Sequence, residues 1–301
     1  MQSAFTNLVQ ELSPISKYRE AVAYEALWDK KDTTFKRIAE LFGSHPESLP
    51  SQLISTNEIK SYEQEFDNII KKYNVPTFGI ILHNVDEFPQ KLRDAKYPVE
   101  LFYFRGYWDL VESKCISVVG TRHPTPEGIK RAKKLVKHLV EDGFTIVSGL
   151  ATGIDTVAHE TAIELGGKTI AVIGTPLSHN YPKENVKLQD EIAENHLLIS
   201  QVPFCKYEHQ PININRLFFP ERNITMSALS LGSIIVEAGE TSGTLIQARA
   251  ALSQNRKLFI LENNFLNEKL TWPQKYLKKG AIRVKDYEEI KASLNGNTER
   301  S

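Results

Sequence analysis

Four short stretches place glycine, hydroxyl and arginine residues where a chain could grip an anion. In SGLATGID, Ser148, Gly149 and Gly153 come just before a helical pattern whose first turn carries Asp155. Glycines there let backbone N–H groups close on a phosphate at a helix N-terminus, where about half a positive charge is available. A ligand-free tight turn has the same composition. Gly149 and Gly153 are four apart and no lysine follows the second, so neither GxGxxG nor a P-loop is matched. In VGTR, Arg122 lies two residues beyond Gly120, where a guanidinium could hold a phosphate bidentately or pair with a neighbouring carboxylate. EAGETSGT offers Gly239, Ser242, Gly243 and Thr244, the composition of an anion nest. Glu237 and Glu240 beside it repel a phosphate unless they cap backbone N–H groups or meet a sugar hydroxyl or base edge. FFPERN sets Arg222 and Asn223 after Phe218 and Phe219, with Asn213, Asn215 and Arg216 upstream, in a stretch that reads as nonhelical. Aromatics interleaved with basic and amide groups suit unstacked bases and their phosphates; either phenylalanine could equally anchor a loop in the core.

Catalytic signals are weaker. Asp155 and His159 are four apart and share a helix face, which could begin a metal site or form a structural hydrogen bond, and no third ligand is evident. HExxH, GxSxG and a metal-spaced cysteine pair are all missing, and Ser148 has no triad signature. The expectation is a protein with no catalytic residues, no metal and no cofactor.

The elements that must position these residues follow from hydrophobic patterning. CISVVGTR from Cys115, FTIVSGLATGID from Phe144, TIAVIGTP from Thr169 and SIIVEAGETSGT from Ser233 are apolar runs that each stop at a glycine-bearing polar turn. Largely β-branched, without sustained alternation and separated by helical patterns, they read as strands of a parallel α/β sheet buried on both faces. Ligands of such sheets sit beyond the carboxyl ends of the strands, where the glycines, Arg122, Asp155 and Glu237 fall. A helix is expected over Pro126 to Asp142, with Ile129, Ala132, Leu135, Val136, Leu139 and Val140 on one stripe. A second follows Asp155, its N-cap candidate. Val202 to Pro220 reads as a long irregular segment. Residues 1 to about 75 carry helical periodicity, as in Phe35, Ile38, Ala39 and Phe42, and form a small helical head; 76–106 reads as an extended connector laid onto the next domain. A final helix near Asp286 to Leu294 and a frayed tail NGNTERS complete the reading.

Composition bounds the function only loosely. With 301 residues, 41% hydrophobic and 25% charged, the chain is an ordinary globular protein. Lys plus Arg equals Asp plus Glu at 37 each, so only a local cluster argues for an anionic partner. Cys115 and Cys205 belong to no CxxC, which favours a reducing compartment. No apolar stretch approaches the roughly 20 residues of a membrane span, and a cytoplasmic protein with no membrane partner is expected.

Taken together, VVGTR (118–122), SGLATGIDTVAH (148–159), IAVIGTPLSHNYPKEN (170–185), FPERN followed by ALS (219–230) and IIVEAGETSGTLIQA (234–248) resemble the DNA-processing protein A (DprA/Smf) family. The resemblance covers about 76–285. It implies an extended Rossmann-like core with helices on both faces over 76–285 and a small helical (SAM-like) domain over 1–75; many members also carry a C-terminal winged-helix domain, whereas 286–301 is expected to hold only a C-terminal helix and tail. The implied function is binding and protection of single-stranded DNA, commonly as a homodimer, and loading of a RecA-type recombinase during natural transformation, without established catalysis. The implied DNA-facing residues are Arg122, Ser148, Gly149, Lys183, Arg222, Asn223, Ser242, Gly243 and Thr244. The chain departs from the family pattern at Ile224, where a second basic residue is usual, and at Pro176, Ser178 and Gln201. Two other readings stay open: a nucleotide-binding or nucleotide-hydrolysing paralogue in which Glu237 or Glu240 acts on a ribose, and a scaffold that contacts another protein through the helical head.

Overall fold

Every β-branched run becomes a strand. The computed structural model describes residues 15–295, so the expected frayed tail lies outside the described residues from 296 on. Its strands are β1 (Gly79–Leu82), β2 (Leu101–Gly106), β3 (Cys115–Val119), β4 (Thr145–Ser148), β5 (Thr169–Ile173), β6 (Leu197–Ser200), β7 (Gly232–Ile235), β8 (Lys257–Leu261) and β9 (Ile282–Val284). They form one sheet in the order β1-β2-β6-β5-β4-β3-β7-β8-β9. All pairs from β6 to β9 are parallel. The connector supplies the two antiparallel pairings, β1 with β2 and β2 with β6.

The helices are α1 (Lys17–Asp29), α2 (Phe35–Ser44), α3 (Thr56–Lys72), α4 (Pro126–Glu141), α5 (Ile154–Glu164), α6 (Val186–Asn195), α7 (Phe204–His209), α8 (Ile212–Asn215), α9 (Phe218–Leu229), α10 (Thr244–Ser253), α11 (Asn263–Leu266), α12 (Trp272–Leu277) and α13 (Tyr287–Asn295). They cover both faces of the sheet, and alternate residues of one strand serve the two layers. In β3, Ile116 and Val118 pack with Leu135 and Leu139 of α4, Ala158 of α5 and Ile290 of α13. Cys115 and Val119 face the other layer, with Met226 and Leu229 of α9, Ala251 of α10 and Trp272 of α12. None of these strand residues is more than 4% exposed, which is why their runs lack polar alternation. With helices on both sides of a mostly parallel sheet, the fold is extended Rossmann-like.

Helices α1–α3 do not stand apart from the sheet. Trp28 of α1 has its ring centroid 4.7 Å from Phe35 of α2 and 6.3 Å from Phe218 of α9, and one apolar cluster runs from Val22 through Tyr103 to Phe204 and Phe218. Burying one such side chain contributes on the order of 3 kcal/mol. Polar contacts reinforce this seam. The buried Glu25 carboxylate of α1 accepts hydrogen bonds from Tyr103 Oη (2.5 Å), Phe204 N (3.0 Å) and Cys205 N (2.8 Å). Lys72 pairs with Glu208, and His209 of α7 lies 2.8 Å from Asp29 and 3.2 Å from Glu65.

Burial pulls the His209 pKa down, but the bonds and charges of Asp29 and Glu65 outweigh it and hold the group above its ordinary 6.5. A raised folded pKa gives stability that is fully present below the unfolded value and is lost as pH rises through the folded one. The melting-temperature gap between the native chain and His209→Gln is therefore expected to be open below pH 6.5 and to close in alkali. A gap that does not change with pH would remove the charged clamp.

Three sequence expectations are corrected. The Phe218–Asn223 stretch is helical, because Pro220 sits in the first turn of α9, where its missing N–H costs no intrahelical bond. Val202 to Pro220 is not irregular throughout: it contains α7 and α8, which open directly behind Pro203 and Pro211. The second core helix starts at Ile154 with Gly153 at the cap, so Asp155 lies inside it.

Candidate nucleic-acid interface

The chain runs from β3 outward through β4, β5 and β6, then crosses back to β7, β8 and β9 on the other side of β3. That reversal opens a crevice beyond the carboxyl ends of β3 and β7. A cleft of about 410 Å³ occupies it, walled by the loop after β3, the loop after β7 and the first turns of α9. Two bonds clamp the loops: Thr121 N donates to Glu237 O (2.7 Å) and Thr244 Oγ1 to Gly120 O (3.0 Å).

The residues expected to face a ligand divide into two groups. Arg122 and Lys183 are exposed, as is Gly243; Asn223 and Ser242 are half-buried. Arg122, Asn223, Ser242, Gly243 and Thr244 all line the cleft. Asn223 Nδ2 donates to Gly243 O at 3.3 Å, which joins α9 to the loop ahead of α10. The polar groups of that loop satisfy one another: Ser242 Oγ accepts from Thr244 N (3.2 Å) and donates to Thr244 Oγ1 (2.9 Å).

Ser148 and Gly149 belong to a buried brace beneath the cleft, and Arg222, which also lines the cleft, is part of it. Ser148 is 0% exposed and donates to Val118 O at 2.7 Å. The Gly149 and Ala151 N–H groups donate to Asp155 Oδ2, at 3.2 and 3.4 Å. The turn that reads as a phosphate nest thus already holds a carboxylate from its own helix. Burial raises the Asp155 pKa, while the Arg222 charge and the donated bonds oppose that. Arg222, 5% exposed, donates through Nη1 to Gly149 O and to Val172 O (2.7 Å), tying α9 to the ends of β4 and β5. Burial lowers its pKa to about 10, with Asp155 acting to raise it and Arg122 to lower it.

The glycines follow from this brace. A Cβ on Gly149 would strike the Arg222 guanidinium, and one on Gly174 would lie 2.6 Å from the Phe219 ring. Both positions make room for α9 side chains.

Asp155 and His159 do not meet. His159 Nδ1 pairs with Thr169 Oγ1 at 2.7 Å, and burial drives the His159 pKa down to about 3. Glu237 accepts from Thr125 N (3.1 Å) and Thr125 Oγ1 (2.8 Å), and Glu240 accepts from Thr271 N (2.8 Å) and Thr271 Oγ1. Both carboxylates therefore hold loops in place. No group of three or more potential metal ligands occurs among the described residues.

One residue of interest escaped the sequence reading. Tyr181, 46% exposed, sits edge-on to Phe219 with ring centroids 5.4 Å apart, and the Arg222 guanidinium lies 5.9 Å from the Phe219 ring centroid. Phe218, by contrast, is 5% exposed and belongs to the apolar seam under α1. The signal for Tyr181 was an aromatic two residues from Lys183 in a strand-end loop.

Comparison with known proteins gives one consistent answer. The sequence profile of the DNA recombination-mediator protein A family matches residues 79–295. The DNA processing protein DprA of Bacillus subtilis (strain 168) is 33% identical over 235 residues, 78% of this chain and 77% of the relative. That of Streptococcus pneumoniae (strain ATCC BAA-255 / R6) is 36% identical over 219 residues, 73% of this chain and 74% of the relative. The X-ray structure of Streptococcus pneumoniae DprA superposes with a TM-score of 0.73 at 29% identity, covering 93% of this chain and 98% of that one. DNA processing protein A from Helicobacter pylori, a structure described for its single-stranded DNA binding mode, superposes with a TM-score of 0.62 at 28% identity, covering 74% and 96%.

Proposed function

The chain belongs to the DNA recombination-mediator protein A family, and on that premise we propose that it binds single-stranded DNA along the carboxyl edge of its sheet. The observation that carries the reading is the make-up of the crevice rim. Arg122 is an exposed cation that lines the crevice together with Phe219, the Phe219 ring meets exposed Tyr181, two residues before the exposed cation Lys183, and the carboxylates Glu237 and Glu240 accept hydrogen bonds from Thr125 and Thr271. Cations take phosphates and exposed ring faces take unstacked bases, which is how single strands are held without sequence preference. The sequence-derived set keeps its place in this reading with divided roles. Arg122, Lys183, Asn223, Ser242, Gly243 and Thr244 form the contact surface, and Ser148, Gly149 and Arg222 brace it.

The same reading makes the protein a cytoplasmic, non-catalytic DNA-processing factor that protects the strand as a homodimer and hands it to a RecA-type recombinase. The commitment of Glu237 and Glu240 to loop bonds favours it over a nucleotide hydrolase. Among the described residues no helix is long and apolar enough to cross a membrane.

Fluorescence anisotropy with an unstructured oligonucleotide across a salt series tests the binding. Arg122→Ala and Lys183→Ala are each expected to weaken affinity on the order of tenfold and to reduce the log–log salt slope by about 0.7, one phosphate on a single strand. Wild-type affinity and slope in both variants would sink the phosphate role.

A further inference from the structure

Three clefts run end to end from the crevice toward the C-terminal helix. The crevice shares Thr121 and Gly239 with a second cleft of about 390 Å³ beside the loop after β8. That cleft shares Arg131 and Asn263 with a third, about 480 Å³, between α4 and α13. Basic side chains follow the same line. His123 lines the second cleft, Arg131 stands where the second and third join, and Lys134 and Lys285 line the third. The side chains of Arg131, Lys134 and Lys285 form no ion pair or hydrogen bond among the described residues.

Of the carboxylates along the way, one is neutralised by an ion pair and two accept hydrogen bonds from neutral groups. Glu237 accepts from Thr125, Glu262 pairs with Arg283, Asp286 accepts from Glu289 N at 3.3 Å, and Glu288 lines the third cleft without an ion pair among the described residues. Asn263, at the second joint, carries a buried side-chain oxygen without a partner. The strip thus carries three cations free of ion pairs among the described residues, Arg131, Lys134 and Lys285, beside the carboxylates Glu262, Asp286 and Glu288, of which Glu262 is paired with Arg283.

From this continuity we infer that the single-strand path does not end at the crevice but continues over His123 and Arg131 to Lys134 and Lys285, so that a long strand gains backbone contacts a short one cannot reach. The inference rests on the reading of the crevice as a single-strand site, and oligonucleotide length separates the two. Anisotropy would compare oligothymidylates of about 4 and about 16 nucleotides, the span of ordinary single-strand site sizes. The full chain would be used, as wild type, as Arg131→Glu with Lys134→Glu, and as Lys285→Glu on a different element.

The double variant is expected to lose at least tenfold in affinity for the long strand and about 1.4 in salt slope, the value for two phosphates, while holding the short strand as wild type does. Lys285→Glu is expected to do the same to a smaller degree. Wild-type long-strand binding in both variants, or equal loss at both lengths, overturns the inference. Failure of the wild-type chain to bind either length overturns the crevice reading and this extension together.

Discussion

Arg222→Ala is expected to lower the melting temperature by about 5 °C, the consequence of losing on the order of 3 kcal/mol in a chain of this size. The guanidinium is 5% exposed and bonds the carbonyls of Gly149 and Val172. Its removal frees two strand ends and leaves Asp155 buried without the positive charge that compensates its own desolvation. Lysine is not expected to rescue the loss, because a single ammonium cannot reproduce the planar fork. Arg122→Ala, at an exposed position, is expected to melt within about 1 °C of wild type. Differential scanning calorimetry of the three variants decides the matter. If Arg222→Ala melts like wild type and loses only DNA affinity, the residue is a ligand contact and the brace is wrong.

The second large effect is expected at Glu25. Glu25→Ala leaves the Tyr103 hydroxyl and the Phe204 and Cys205 N–H groups buried without an acceptor, at about 1–3 kcal/mol for each. Its pH dependence has an unusual sign. Burial pushes the carboxyl up from 4.5 to about 7, against the three donated bonds. Between those two values the folded chain keeps a proton that the unfolded chain has released. Stability from this group is thus complete below about pH 4.5 and falls as pH rises through about 7, by up to about 1.4 kcal/mol per pH unit. Glu25→Gln, which cannot ionise, is expected to show a flatter urea-midpoint profile between pH 5 and 8 than wild type. Parallel profiles would place the Glu25 pKa at its ordinary value.

The central strands were legible because burial on both faces leaves a plain mark, a β-branched run without polar alternation, as at Ile116 to Val119. The binding edge was legible for the same reason: each run ends in a polar turn. What the turns do was less visible. Gly149 makes room for a guanidinium 73 residues away, and no local pattern distinguishes that from room for a phosphate. Pro220 disguised the start of α9, since proline in a first turn and proline in a loop look alike. Glu25 gave no sign of its role, because every residue from Glu20 to Trp28 is buried and a helix enclosed on all sides has no polar face to read. The family resemblance reached the fold and the crevice through combined motifs, but it could not show that Ser148 and Gly149 lie beneath the crevice or that Arg222, at its wall, is committed to bracing it.

The antiparallel seat of β2 also fixes an order of events during synthesis. β2 ends at Gly106, while the strand that receives it, β6, begins only at Leu197, and Phe204 and Phe218, which complete the seam under α1, come later still. At roughly 5–20 residues per second, the first hundred residues wait on the order of 5–20 s on the ribosome with Val22, Trp28 and Tyr103 lacking their final partners. The N-terminal helices are first to be made and among the last to be docked, and the closing of that long loop, rather than the local pairing of the parallel strands, is expected to set the pace at which the native chain appears.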